Sequence, residues 1–195
     1  MIRIRFVTCD DVVSRIIRGA QMGFWASHVE ADIGGSYLGA HASGGVAIRP
    51  YSYDDGQWTQ QLFVEVPTTW SWGKEQEAKF LAFLHAQVGK GYDFDALGEM
   101  AIGVVRGEAP NWTLSTKWIC SALITGALVS SDVIKAAPTT VRVATPRDVL
   151  CCLSGLVEIG EPEAAPRRER LAATSVAPPL SDDDQALLKQ IAIDP

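Results

Sequence analysis

Two glycine pairs, Gly34-Gly35 and Gly44-Gly45, punctuate the first third of this 195-residue chain and constrain its fold more than any other feature. Paired glycines accept the positive φ angles of tight turns that match strand twist. The strand-like runs around them, Ala26–Ile33, Tyr37–Ala42 and Val46–Ile48, are therefore expected to form an antiparallel meander. Ile2–Val7 alternates charged and apolar residues, as an edge or half-buried strand does, and Gln60–Val66 runs up to a stop at Pro67. Sheet-forming sequence is thus concentrated before residue 67.

Helical patterning follows. Asp10 is placed to cap a first helix through Gly19, striped by Val12, Val13, Ile16 and Ile17. Trp72–Val88 reads as a long helix burying Phe80, Leu81, Phe83 and Leu84. Gly89 and Gly91 break it, and Tyr92-Asp93-Phe94-Asp95 starts another toward Val104. Helix resumes over Trp118–Val129. Thr145 before Pro146 then caps a last one ending near Leu153. The sum is an α+β domain: an antiparallel sheet of five or six strands packed against helices.

Composition changes after Gly160. Residues 1–160 form the expected domain, 161–180 a Pro/Ala-rich flexible linker, and 181–195 a short C-terminal helix capped by the Ser181–Asp184 run. That helix needs a surface to dock on, in a partner or a neighbouring subunit. A net charge of −6 and a pI near 5.0, with no basic stripe, argue against nucleic acid as a partner. No apolar run is long enough to span a bilayer. The N-terminus lacks the pattern of a secretory signal, so a cytoplasmic location is expected as synthesised. Release by lysis, a phage particle or a secretion machine would carry the protein to an outside substrate.

The four cysteines do not form a disulfide framework: Cys151 and Cys152 are adjacent and read as core thiols, Cys9 reads as structural, and Cys120 stands alone. Their spacing and that of the histidines fit no zinc template, so neither metal nor cofactor is expected. Cys120 opens an apolar helix, while His28 and His41 lie on adjacent strands. A thiol at a helix N-terminus near an imidazole is the minimum for nucleophilic thiol catalysis. A buried, inert thiol is the competing reading of Cys120 taken alone. His85 reads as a surface residue of the long helix, Trp72 as core, and Trp25 as either core or a wall of the groove beside His28.

These segments, Ser27-His28-Val29-Glu30, Ala40-His41-Ala42-Ser43, Gly91-Tyr92-Asp93 and Trp118-Ile119-Cys120-Ser121, resemble the NlpC-type papain-like cysteine peptidases. The cysteine follows the histidines, as in the circularly permuted members and the related lecithin:retinol acyltransferase-like proteins. The resemblance covers about residues 1 to 155. It implies Cys120 as nucleophile, His28 as base and His41 as the group that orients it. Tyr92, Ser121, Glu30 and Trp25 are implied as oxyanion- or substrate-side candidates. Ile119 stands where the family usually has Asp, and Glu30 where it often has Gly. Glu30, two residues beyond His28 on the same strand face, competes with His41 as the orienting group. The expected function is amide hydrolysis on peptidoglycan peptides or another small acyl-amide. A thiol acyltransferase or esterase acting on lipid-type acyl groups, and a non-catalytic assembly module on the same scaffold, are the alternatives.

Overall fold

A computed structural model of the chain describes residues 1–66, 73–98, 116–135, 137 and 141–164. They form an α+β arrangement with one six-stranded antiparallel sheet. Its strands are β1 (Ile2–Cys9), β2 (His28–Asp32), β3 (Ser36–His41), β4 (Gly45–Pro50), β5 (Trp58–Val66) and β6 (Glu163–Ala164), in the order β4-β3-β2-β1-β5-β6. The helices are α1 (Val12–Ala20), α2 (Gly73–Gln87), α3 (Cys120–Ser130) and α4 (Pro146–Ser154), and residues 94–98 are also helical. The meander is present as expected, both glycine pairs having positive φ.

Strand alternation divides the sheet into two unlike faces. Ile2, Ile4, Phe6, Val29, Ala31, Leu38, Ala40, Leu62, Val64 and Val66 belong to the hydrophobic core. α3 packs against β2 and β3, and α2 packs against α3. α3 is buried along nearly its whole length, as suits a helix that is apolar all round. The opposite face carries Arg3 and Arg5 of β1 against Asp32 and Glu30 of β2, at cross-strand positions Arg3↔Asp32 and Arg5↔Glu30. β1 is therefore no edge strand. It is central, and its charged alternation marks a second buried face, with Arg5 only 2 % exposed.

Several local details depart from expectation. The cap of α1 is Asp11, whose side chain accepts the Ser14 N–H at 2.7 Å. Asp10 instead pairs with Arg15 on the surface. α3 begins at Cys120, because Trp118 is held in a β-bridge with Tyr92. α4 carries the expected Thr145 cap and Pro146, with Asp148 completing a capping box; Cys152 on it packs, half-buried, against the core, but Cys151 is exposed and is not a core thiol. Residues 163–164, at the start of the expected linker, pair with β5. A 3-10 turn over Tyr51–Asp54, absent from the sequence reading, joins β4 to β5. Trp72, the proposed helix beyond residue 98 and the C-terminal helix lie outside the described residues. Among the described residues no helix is long and apolar enough to cross a membrane.

Candidate active site

The site forms where the β2–β3 ladder stops. These strands pair only at Ala31↔Leu38 and Asp32↔Tyr37, leaving the stretch from His28 to Glu30 unladdered against β3. The N-terminus of α3 meets that open end. Cys120 is its first residue, and Ile119 at the cap offers no side-chain bond to the first turn. The His28 imidazole and the backbone N–H groups of Val29 and Ser121 face the Cys120 sulfur and favour its charged form. A second docking holds α3 at this point. Gly45 approaches the next segment so closely that a Cβ would lie 2.2 Å from the Lys90 carbonyl oxygen. Val46 N–H donates to that oxygen at 2.8 Å, Trp118 N–H to Gly91 O at 3.1 Å, and Asp93 N–H to Trp118 O at 3.1 Å. Sheet, Tyr92 segment and the start of α3 are thereby stitched together.

Behind His28 lies Glu30, fully buried. Its Oε2 is 3.4 Å from His28 Nε2 and 3.3 Å from His41 Nε2. The His28 contact is an ion pair without the alignment of a hydrogen bond. Tyr53 donates its hydroxyl to the same carboxylate, 3.1 Å from Oε2 and 3.2 Å from Oε1. Arg5 Nη1 donates to Glu30 Oε1 at 2.9 Å and to Asp54 Oδ2 at 2.7 Å. The two imidazole rings stand 4.2 Å apart and keep 17 % and 18 % of their side-chain surface exposed, so the buried charge cluster is reachable from one side.

The electrostatics follow from these contacts. Burial opposes charge on His28, but the Cys120 sulfur and the Glu30 carboxylate outweigh it and push the imidazole up to about 10. Burial likewise opposes a Cys120 thiolate, yet His28 and the two N–H groups bring the thiol below its ordinary value. Glu30 stays ionised far below the usual carboxylate range: burial works against it, while both histidines hold it charged. His41 is lowered to about 4, first by burial and then by the charge on His28, so it is neutral at pH 7. These directions favour a thiolate–imidazolium pair backed by a carboxylate, with a neutral second histidine.

His28, Glu30, His41, Cys120 and Ser121 thus come together. Tyr92 is buried beside them, and its hydroxyl stays protonated because burial and the nearby Cys120 charge both raise its pKa. Trp25 packs at the margin of the core, its ring 5.9 Å from that of Phe24, and takes no part in the polar cluster. Both candidate orienting groups are present, but Glu30 is the one that faces His28, and His41 shares the same oxygen. Sequence reasoning missed Arg5, Tyr53 and Asp54. The matched spacing of Arg3-x-Arg5 and Glu30-x-Asp32 was the available signal, since opposite charges two apart on neighbouring strands form a cross-strand ladder.

Ligand atoms of His28, Glu30 and His41 all lie within 4.8 Å of one another, a grouping compatible with a metal ion. All four cysteines are free. No known protein-family model matches the chain, and no curated protein matches it in sequence.

Proposed function

We propose that the protein is a cysteine hydrolase that cleaves an amide bond, with Cys120 as nucleophile and His28 as acid and base. The observation that carries this reading is Cys120 at the start of α3, facing a His28 whose Nε2 lies 3.4 Å from the buried carboxylate of Glu30. The Cys120 thiolate attacks the substrate carbonyl carbon, forming a C–S bond and placing the charge on oxygen. The Ser121 and Val29 N–H groups, freed as the sulfur is consumed, and the Tyr92 hydroxyl are the nearby donors for that oxyanion. The intermediate collapses by breaking the C–N bond. His28 gives its proton to the departing amine, leaving a thioester. Neutral His28 then takes a proton from water, and the hydroxide displaces the sulfur to give a carboxylic acid and the original ion pair.

The order of histidines before cysteine, on an antiparallel sheet packed against the cysteine helix, supports a permuted papain-like relationship with NlpC-type enzymes. Peptidoglycan peptides or a related small acyl-amide are the corresponding substrate class. The first test is the pH dependence of iodoacetamide alkylation at Cys120, read by mass spectrometry in wild type and His28→Ala. Wild type is expected to react fully at neutral pH, with His28→Ala reactive only in alkali. A Cys120 that is inert, or indifferent to His28, sinks the proposal. Turnover of peptidoglycan fragments by wild type and none by Cys120→Ser would then fix the substrate class.

A further inference from the structure

The residues around the Cys120–His28 pair do not account for the segment that closes the polar face of the sheet. The 3-10 turn Tyr51–Asp54 crosses that face and makes three separate polar contacts beneath it. The Tyr51 hydroxyl donates to Asp32 Oδ1 (2.5 Å) and accepts the Gly35 N–H (2.8 Å). The Tyr53 hydroxyl reaches both oxygens of Glu30, and Asp54 takes the second bond of Arg5 Nη1. Glu30 is led to these donors by the absence of a side chain opposite it. A Cβ on Gly39 would lie 2.9 Å from Glu30 Cβ, 3.4 Å from Oε2 and 3.5 Å from His41 Nε2. The Tyr53 ring also stands edge-on to His41, with centroids 5.1 Å apart and planes at 89°. One phenol therefore touches the carboxylate and the second histidine together.

We infer that Tyr53, with Arg5 beside it, is a positioning residue of the site, holding Glu30 in the place from which it fixes His28. A phenylalanine would fill the same space and keep the ring contact, so core packing alone does not call for the hydroxyl. A carboxylate held only by histidines would move as they gain and lose protons. With Arg5 on Oε1 and Tyr53 across both oxygens, Glu30 keeps one position through a cycle in which His28 changes charge. The inference rests on the thiol-hydrolase reading above.

The groups facing His28 come from several elements: Cys120 from α3, Glu30 from its own strand, His41 from β3 and Asp54 from the turn, with Arg5 of β1 paired to the two carboxylates. Arg49 of β4 acts on His41, and Tyr92 faces Cys120. Tyr53→Phe leaves each of these charges in place. Its expected effect is a shift of the Cys120 alkylation profile to higher pH by at least about half a unit, because a loosened Glu30 supports the imidazolium less well. Arg5→Lys keeps the charge but loses the planar group that Gln61 holds at Nε while Nη1 serves Glu30 and Asp54, and is expected to shift the profile the same way. Both are measured on the full chain by mass spectrometry, with melting temperature followed in parallel. A folded Tyr53→Phe whose profile superimposes on wild type overturns the inference, even with a lowered melting temperature. Arg5→Lys decides where Tyr53→Phe does not fold, and failure of both to fold assigns the pair to the core and overturns it equally. A wild-type Cys120 unreactive at neutral pH is a different result, which removes the hydrolase reading itself.

Discussion

Arg5 Nη1 lies 2.9 Å from Glu30 Oε1, with 2 % of one side chain and none of the other exposed to solvent. An ion pair this deep costs both partners their hydration, so its value depends on completeness: removing one member strands the other in a medium that cannot solvate it. Arg5 serves Glu30 and Asp54 at once, so its loss strands two carboxylates. Arg5→Met is expected to destabilise the protein by about 3–5 kcal/mol in urea unfolding. Adding Glu30→Gln and Asp54→Asn should return part of that loss. No recovery in the triple variant would show that Arg5 acts through packing alone.

Acid sensitivity is a second expectation. His41 is held at about 4, below its ordinary 6.5, so between those values the unfolded chain binds a proton that the folded chain does not. Stability therefore falls as pH drops through that window. Glu30, depressed far below its ordinary 4.5, adds a further loss once the pH passes below that value. Melting temperatures measured from pH 7.5 to 4 should decline in wild type and decline less in His41→Asn. Equal slopes in the two proteins would refute the assignment to His41.

The alkaline side follows from His28. Its folded value near 10 lies above the ordinary 6.5, while its partner Cys120 is lowered from its ordinary 9; the two proton differences cancel between those ordinary values, so stability is lost only as pH rises past 9 and through about 10. His28→Gln should remove that alkaline decline in a thermal scan from pH 7 to 10.5. A variant as alkali-sensitive as wild type would place the decline elsewhere.

Two glycines offer a matched contrast. Gly39→Ala places a methyl 2.9 Å from Glu30 Cβ and is expected to cost about 1–3 kcal/mol while slowing Cys120 alkylation at neutral pH. Gly19 lies in α1 with nothing within 4 Å of an added Cβ. Gly19→Ala should therefore stabilise by about 0.5–1 kcal/mol and leave Cys120 reactivity unchanged. Unaltered Cys120 reactivity in a folded Gly39→Ala would mean that Glu30 tolerates displacement.

The elements set by local rules were readable from sequence: glycine-pair turns, the Thr145 cap and the strand-like runs of β2 and β3. His28, His41 and Cys120 were also visible, because their residue types and contexts are local. Arg5 was not, since an alternating charged strand reads as half-exposed until its partner strand supplies Glu30 at the matching position. Tyr53 was hidden for a related reason. It lies on a turn whose direction over the sheet depends on tertiary packing, and nothing in Tyr51-Ser52-Tyr53-Asp54 itself signals a carboxylate beneath. Asp10 and Asp11 show the finer limit: adjacent identical residues compete for one cap, and backbone geometry chooses.

Glu163 and Ala164 close the β5 side of the sheet, pairing with Gln61 and Gln60. Gln61 accepts from Arg5 Nε at 3.1 Å and donates to Glu163 Oε2 at 3.4 Å, so this small strand is two hydrogen bonds from the buried arginine. A chain trimmed at Gly160 would bare the backbone of β5 at that point and present it as a template for strand addition by another molecule. A minimal domain therefore keeps residues 163–164: what reads as the beginning of a tether is a shutter over Gln60 and Gln61 of β5.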